Sequence, residues 1–224
     1  MIVFGKQNVL YLLEHMKESI QEVYFSKEID KKIFSRFVRL GCPVIRIDNK
    51  KAQALAKGGN HQGFFAKIKP LESTDFGLIK TYKKIVVLCG VTDVGNIGSI
   101  IRSAYALGVE AIVISGVRQF NIEGVIRSSV GSIFHLPFCV YENTLSLINE
   151  LKNHGLVCVG TSMSGIDVKE YQSPDKWALF LGNEGSGLGN KILSKLDTIL
   201  TIKMARSFDS LNVAVAAGIL MHRI

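Results

Sequence analysis

The sequence predicts an α/β protein, with a small N-terminal α/β unit followed by a mostly parallel sheet that carries helices on both faces. Three observations predict this. Short apolar runs of strand length alternate with segments of helical apolar spacing along the whole chain. The second region holds strand–helix–strand connections, which favour parallel pairing and burial of both sheet faces. Between the two alternating regions lies "KPLESTDFGLIKTYKK", polar, interrupted by proline and weakly periodic.

In the first region, "KQNVLYLLEHMKES" puts Val9, Leu12, Leu13 and Met16 at helical spacing. "EVYF" reads as a strand. "DKKIFSRFVRL" opens with Asp30 as a helix cap and sets Ile33, Phe34, Phe37 and Leu40 on one face. "PVIRI" is a strand, "KKAQALAKGG" a short helix stopped by Gly58 and Gly59, and "GFFAKI" a strand. The expected boundaries are 1–70 for the first domain, 71–83 for a linker and 84–224 for the second domain. There, strands are expected at "IVVLCG", "AIVIS", "LVCVGT", "WALFLG" and "TILTIKM", and helices over 96–107, 122–129, 145–154, 190–196 and 211–222.

The 224 residues suffice for a sizeable core, and the composition is that of a globular chain. No apolar run reaches the roughly 18 residues of a membrane span, and the N-terminus lacks the pattern of a secretory signal, so the chain reads as cytoplasmic. Cys42, Cys89, Cys139 and Cys158 lie in or beside apolar runs with no CxxC spacing, and the five histidines are scattered. We therefore expect reduced core cysteines and no metal site. The net charge of +8 is uneven: 15 Lys and Arg face 8 Asp and Glu up to Lys83, against 12 and 11 from Lys84 onward. A basic first third is what contact with a polyanion requires, though a solvated lysine-rich surface has the same composition.

Ligands of parallel sheets bind beyond the C-terminal strand ends, so the loops there carry the functional reading. The first, "VTDVGNIGSIIRSA", places Asn96 between Gly95 and Gly98 and sets Arg102 in an otherwise apolar helix. It matches neither a dinucleotide fingerprint nor a P-loop. The second, "FLGNEGSGLGNKIL", surrounds Asn183 and Glu184 with glycines, which let backbone approach a ligand closely. Glu184 would repel a phosphate and fits hydroxyls, amines or a cation. The third, "FDSLNVAVAA", carries Ser210 and Asn212 ahead of a small-residue helix, either as caps or as acting groups. A fourth segment, "GVIRSSVGSIFHLPF", puts Arg127 beside Ser128 and Ser129.

Together "NIGSIIRSA", "LGNEGSGL" and "DSLNVAVAA", in this order at strand ends, resemble the three motifs of the SpoU/TrmH branch of the SPOUT RNA methyltransferases. "RSSVGS" is similar to a further segment of that family. "IVFGKQNVLYLLE" and "GGNHQGFFAKI" resemble the N-terminal substrate-binding domain of its 23S rRNA guanosine-2′-O-methyltransferases. The likeness spans essentially the whole chain. It implies a C-terminal SPOUT domain with a deep trefoil knot, an N-terminal ribosomal-protein L30e-like domain, and a homodimer. It also implies methyl transfer from S-adenosylmethionine to a ribose 2′-hydroxyl of RNA, most of all a guanosine of 23S rRNA. A tRNA methyltransferase, a resistance rRNA methylase and a non-catalytic RNA-binding or ribosome-assembly factor stay open beside it.

Carried over residue by residue, the resemblance makes Arg102, Asn96, Ser210, Asn212 and Glu184 catalytic. It makes Thr161, Gly182, Asn183, Ile202 and Leu211 the cofactor cradle, and Arg127, Ser129, His61 and Gln62 contacts to RNA. The family gives proton abstraction to the arginine at Arg102. A guanidinium with a pKa above ~12 suits charged stabilisation of a developing alkoxide better. This chain departs from the pattern at Asp93-Val94-Gly95, at Ile202-Lys203-Met204 and at Arg206, which bears on loop shape and cofactor affinity.

Overall fold

The computed structural model describes residues 1–206 and 210–224. Phe208 and Asp209 of the third motif lie outside them. In chain order the elements are β1 (Ile2–Phe4), α1 (Lys6–His15), β2 (Ile20–Phe25), α2 (Lys31–Val38), β3 (Val44–Arg46), α3 (Asn49–Ala56), β4 (Phe64–Ile68), α4 (Phe76–Ile79), β5 (Lys84–Cys89), α5 (Val94–Ala106), β6 (Ala111–Ser115), α6 (Ile122–Ser128), β7 (Phe138–Tyr141), α7 (Thr144–Asn153), β8 (Val157–Asp167), β9 (Trp177–Leu181), α8 (Asn190–Leu193), β10 (Thr198–Thr201) and α9 (Val213–Arg223). Single 3-10 turns stand at Lys17–Ser19 and Ser132–His135. Contacts group the chain into two compact units, Met1–Glu72 with Ile122–Gly131, and Ser73–Asn121 with Ser132–Ile224.

The first unit holds a four-stranded sheet in the order β1-β4-β2-β3, antiparallel except between β2 and β3. Asp30 starts α2 by accepting from the N–H groups of Lys32 and Ile33, and Asp48 starts α3 by accepting from Lys51 N–H. Lys57 and Gly58, both at positive φ, end α3 as the glycine pair predicts. Leu12, Phe25, Phe37 and Phe65 fill the core. Phe64 and Phe65 on β4 are both core residues. The strand β1 was not expected: three apolar residues before a glycine are too short to show a period, and pairing with β4 decides them.

The second unit holds a six-stranded sheet in the order β10-β8-β9-β5-β6-β7, parallel throughout. Strands β5, β6 and β9 are buried along nearly their whole length, which is why they read as unbroken apolar runs. Asp93 caps α5 and Asn143 caps α7. From β5 the chain builds outward through β6 and β7, then returns to lay β8 and β9 on the other side. Strand order therefore reverses beside β5, and the C-terminal ends of β5 and β9 flank the switch point where such sheets bind ligands.

Several elements differ from expectation. The stretch read as linker contains α4, capped by Asp75, with Ile79 fully buried. "FCVY" is the edge strand β7, hidden from a sequence reading behind Pro137. Strand β8 runs six residues past Thr161 to Asp167. Helix α9 starts at Val213, not Leu211, because Asn212 is its cap. All four cysteines are free, and burial pushes the Cys89 and Cys158 thiols up to about 12 and Cys139 up to about 11, which keeps them unreactive. Among the described residues no helix is long and apolar enough to cross a membrane, and no group of His, Cys, Asp and Glu is arranged to hold a metal.

Candidate active site

Four loops of the second unit meet at the C-terminal strand ends. The β9–α8 loop, residues 182–189, is folded by Asn183. Its Oδ1 accepts from the Gly185 N–H at 2.9 Å and its backbone carbonyl accepts from the Gly187 N–H at 2.8 Å. Its Nδ2 donates to the Gly90 carbonyl at 2.9 Å, tying β9 to β5 at the switch point. Gly182 is required there: a Cβ would stand 2.2 Å from the Gly187 carbonyl carbon.

The second loop is an excursion within β8. Pairing with β10 jumps from Ile199↔Gly160 to Leu200↔Ile166, so residues 161–165 leave the ladder and return. Thr201 Oγ1 donates to the Met163 carbonyl at 3.2 Å and holds the excursion in place. Gly165 fits because a Cβ would lie 2.5 Å from the Ile199 carbonyl oxygen. The apolar run itself predicts a strand that stops at Thr161, without the excursion. The small residues Ser162, Ser164 and Gly165 were the signal available.

Between these loops and the segment after β10 opens a cleft of about 970 Å³. All five residues expected to hold the cofactor line it: Thr161, Gly182, Asn183, Ile202 and Leu211. So do Glu184 and Ser210, while Leu181, Leu188, Leu200 and Leu220 form apolar wall. Lys203 also lines the cleft. Its Nζ sits 3.7 Å from Asp167 Oδ2 and 3.9 Å from Glu170 Oε1, so the charge that departs from the family pattern is offset by two carboxylates.

The cleft residues fit S-adenosylmethionine. The size is that of a small-molecule site, with an apolar wall for a purine and backbone polar groups from three loops for its edges. Glycines at 182 and 165 let the loops that line the cleft pack directly on the backbone of Gly187 and Ile199. Glu184 is the carboxylate on the lining, and a sulfonium or ammonium group is what it attracts.

At the cleft rim a hydrogen-bonded relay joins all three motifs. Asn96 Nδ2 donates to Glu184 Oε1 at 3.0 Å, and Asn212 Nδ2 donates to Asn96 Oδ1 at 2.9 Å. Asn212 Oδ1 then accepts from the N–H groups of Ala214 at 2.9 Å and Val215 at 3.3 Å. The polarity is forced. A carboxylate only accepts, so Asn96 must turn its NH₂ toward Glu184 and its oxygen toward Asn212. Asn212 must then offer NH₂ to Asn96, which leaves its oxygen to cap α9. Asn212 is thus both a cap and a site residue, a combination the sequence left as alternatives.

Arg102 stands two turns into α5 on its exposed side, away from the buried Ile100, Ile101 and Ala104. It does not line the cleft, and among the described residues no carboxylate pairs with it. The residues expected to contact RNA all lie in the first unit. The Arg127 guanidinium carbon sits 4.4 Å from the Phe4 ring centroid, and desolvation there lowers its pKa. Ser129 is buried. His61 is buried, stacks on Phe65, and its Nδ1 accepts from the Gly63 N–H at 3.0 Å, which gives the ring a loop-shaping task. Gln62 is exposed, at φ 53, and accepts from the Lys6 N–H at 3.1 Å.

The profile of the SpoU rRNA Methylase family matches residues 83–222, the span that contains the cleft and the relay. The chain belongs to this family. Residues 2–74 match a second profile, described as RNA 2′-O ribose methyltransferase substrate binding. The 23S rRNA (guanosine(2553)-2′-O)-methyltransferase RlmP of Bacillus subtilis is 36% identical over 148 residues, which is 65% of this chain and 59% of that protein. The chain thus spans under two thirds of that relative's length. The crystal structure of the SpoU methyltransferase AviRb from Streptomyces viridochromogenes, in complex with the cofactor AdoMet, superposes with a TM-score of 0.79 at 26% identity over 100% of this chain and 88% of that one. An AdoMet-bound rRNA methyltransferase from Sinorhizobium meliloti gives a TM-score of 0.78 at 25% identity, covering 99% and 85%. As a SpoU family member the chain has the mixed α/β fold with a parallel six-stranded sheet and a separate small α/β unit.

Proposed function

We propose that this chain transfers a methyl group from S-adenosylmethionine to a ribose 2′-hydroxyl of ribosomal RNA, with a guanosine of 23S rRNA as the target. The observation that carries the reading is the Asn212–Asn96–Glu184 relay at the rim of a cleft sized for the cofactor. RlmP acts on a guanosine of 23S rRNA, and the first unit matches a substrate-binding profile, which supports rRNA as substrate. The chain works as a homodimer on this reading, a role for which Val215 and Ile219 on the outer side of α9 offer exposed apolar contact.

Bound in the cleft, S-adenosylmethionine supplies an electrophilic sulfonium methyl. Thr161, Gly182, Asn183, Ile202 and Leu211 hold it, and the apolar wall excludes water. Glu184 fixes Asn96, Asn96 fixes Asn212, and these amides with Ser210 orient the ribose. A neutral ribose hydroxyl is a weak nucleophile; as it takes the methyl group its proton passes to solvent at the rim, and Arg102 stabilises the negative charge that grows on its oxygen. Positioning then supplies much of the remaining rate. Gln62 and Arg127 of the first unit contribute to RNA binding.

The purified chain should therefore label 23S rRNA transcript from tritiated S-adenosylmethionine. The label should survive alkaline hydrolysis in a dinucleotide, because a 2′-O-methyl removes the internal nucleophile. Label recovered in mononucleotides, or none in rRNA, would overturn the proposal.

Asn212→Asp separates capping from the relay. It keeps the acceptor that caps α9 and removes the donor to Asn96. Stability should fall by less than about 1 kcal/mol. Methyl transfer should fall by about 10- to 100-fold, since ribose orientation is lost. Thermal melts and steady-state rates on the same preparation check both halves, and an unaltered rate would remove the relay from the mechanism.

A further inference from the structure

The outer side of α5 does not end at Arg102. Gly95, Ser99, Arg102, Tyr105 and Ala106 are its exposed residues, while Ile97, Gly98, Ile100, Ile101 and Ala104 face the core. Tyr105 is 48% exposed, and among the described residues of this unit it is the one exposed Phe, Tyr or Trp. Its ring stacks on His135, also exposed, with centroids 5.4 Å apart and planes inclined by 27°. His135 ends the 3-10 turn Ser132–His135, which packs on α5. Tyr105 follows Arg102 by three positions, so the two side chains are neighbours, with Cβ atoms about 5–6 Å apart.

An exposed, pre-stacked aromatic pair beside a cation offers one ligand both a flat π-face and a positive charge. A nucleoside offers both features at once, a planar base for the rings and a sugar for the cation. Single-stranded RNA is held by such rings, because every base has a π-face. We propose that the Tyr105–His135 pair is the platform on which the base of the target nucleotide, or its immediate neighbour, stacks while Arg102 addresses the ribose. Gly95 and Ser99, small residues on the same side, leave the sugar–phosphate room to pass. The proposal rests on the methyl-transfer reading for the role of Arg102. The platform itself rests on the geometry of the two rings.

Steady-state methylation of 23S rRNA transcript by wild type, Tyr105→Ala, Tyr105→Phe and His135→Ala tests it. Tyr105→Ala should raise KM for RNA about tenfold, and His135→Ala by a smaller factor, with kcat changed less than KM. Tyr105→Phe should restore most of the loss, because it keeps the ring face. Cofactor affinity, melting temperature and sedimentation coefficient should stay at wild-type values. An unchanged KM in Tyr105→Ala overturns the platform. So does Tyr105→Phe behaving like Tyr105→Ala. A changed sedimentation coefficient in Tyr105→Ala overturns it too, since a second copy of the chain would then cover these rings. If wild type leaves 23S rRNA unmethylated, the functional reading fails. The platform is then tested alone by fluorescence titration with poly(A), for which Tyr105→Ala should again bind about tenfold more weakly. Equal poly(A) affinity of the two proteins sinks the platform as well.

Discussion

Arg102→Ala is expected to lower methyl transfer by about 10²–10³-fold, the cost of removing one preorganised charge-stabilising donor. Cofactor affinity should stay nearly constant, because Arg102 lies on the exposed side of α5 and not on the cleft lining. The split between rate and cofactor binding separates this outcome from general damage to the site. Arg102→Lys decides between two chemistries. A lysine keeps the charge and loses the planar fork, and its amine titrates near ~10.4 in water. If residue 102 acts as a charged stabiliser, the lysine variant works while protonated, and its advantage over alanine vanishes as pH rises through about 10. If residue 102 acts as the base, the lysine variant needs the neutral amine, and its rate climbs over the same interval. The pH profile of the lysine-to-alanine rate ratio between pH 7 and 10.5 therefore has opposite slopes on the two accounts, and we expect the falling one.

The strand ends were legible in the sequence because apolar runs stop abruptly there at glycine and polar residues, as at Leu181-Gly182-Asn183. The cap at Asp30 was legible for the same local reason, a short acceptor ahead of a periodic segment, whereas the helix expected from residue 96 starts at Val94 because Asp93 caps it. Long-range geometry was not legible. The relay joins Asn96 to residues 88 and 116 positions away, and no local pattern states that their amides must share one polarity. The excursion of β8 was hidden because a strand that leaves its ladder and re-enters it reads simply as a strand that ends. The resemblance makes His61 a contact to RNA, yet stacking on Phe65 and the Gly63 N–H draw its imidazole inside. Nothing local in the sequence marks Tyr105, since its exposure and its partner His135 appear only in three dimensions.

Gly182→Ala should be the most damaging single methyl group that can be added to the cleft. A Cβ there would lie 2.2 Å from the Gly187 carbonyl carbon and 2.4 Å from both the Gly187 oxygen and the Leu188 nitrogen. All three are backbone atoms, so no side chain can swing aside, and the loop must move by about 1 Å to restore ordinary contact. That movement opposes the Gly187 N–H bond to the Asn183 carbonyl and pulls on the Asn183 amide, which is anchored to Gly90 on the neighbouring strand. Overpacking against backbone costs about 3 kcal/mol, at the upper end of the usual range. For a chain of this size that lowers Tm by about 6–12 °C. Trp177, the sole tryptophan, is buried at the start of the same strand and reports the unfolding by fluorescence. Cofactor affinity should fall at least about tenfold, because a loop displaced by this much realigns Asn183 and Glu184 together. Gly189→Ala is the matched control. Gly189 has φ −65°, and a Cβ there meets nothing within 4 Å, so stability should change by less than about 0.5 kcal/mol. Equal melting temperatures and equal cofactor titrations for the two variants would show that the close approach at residue 182 does not hold the loop in its working shape.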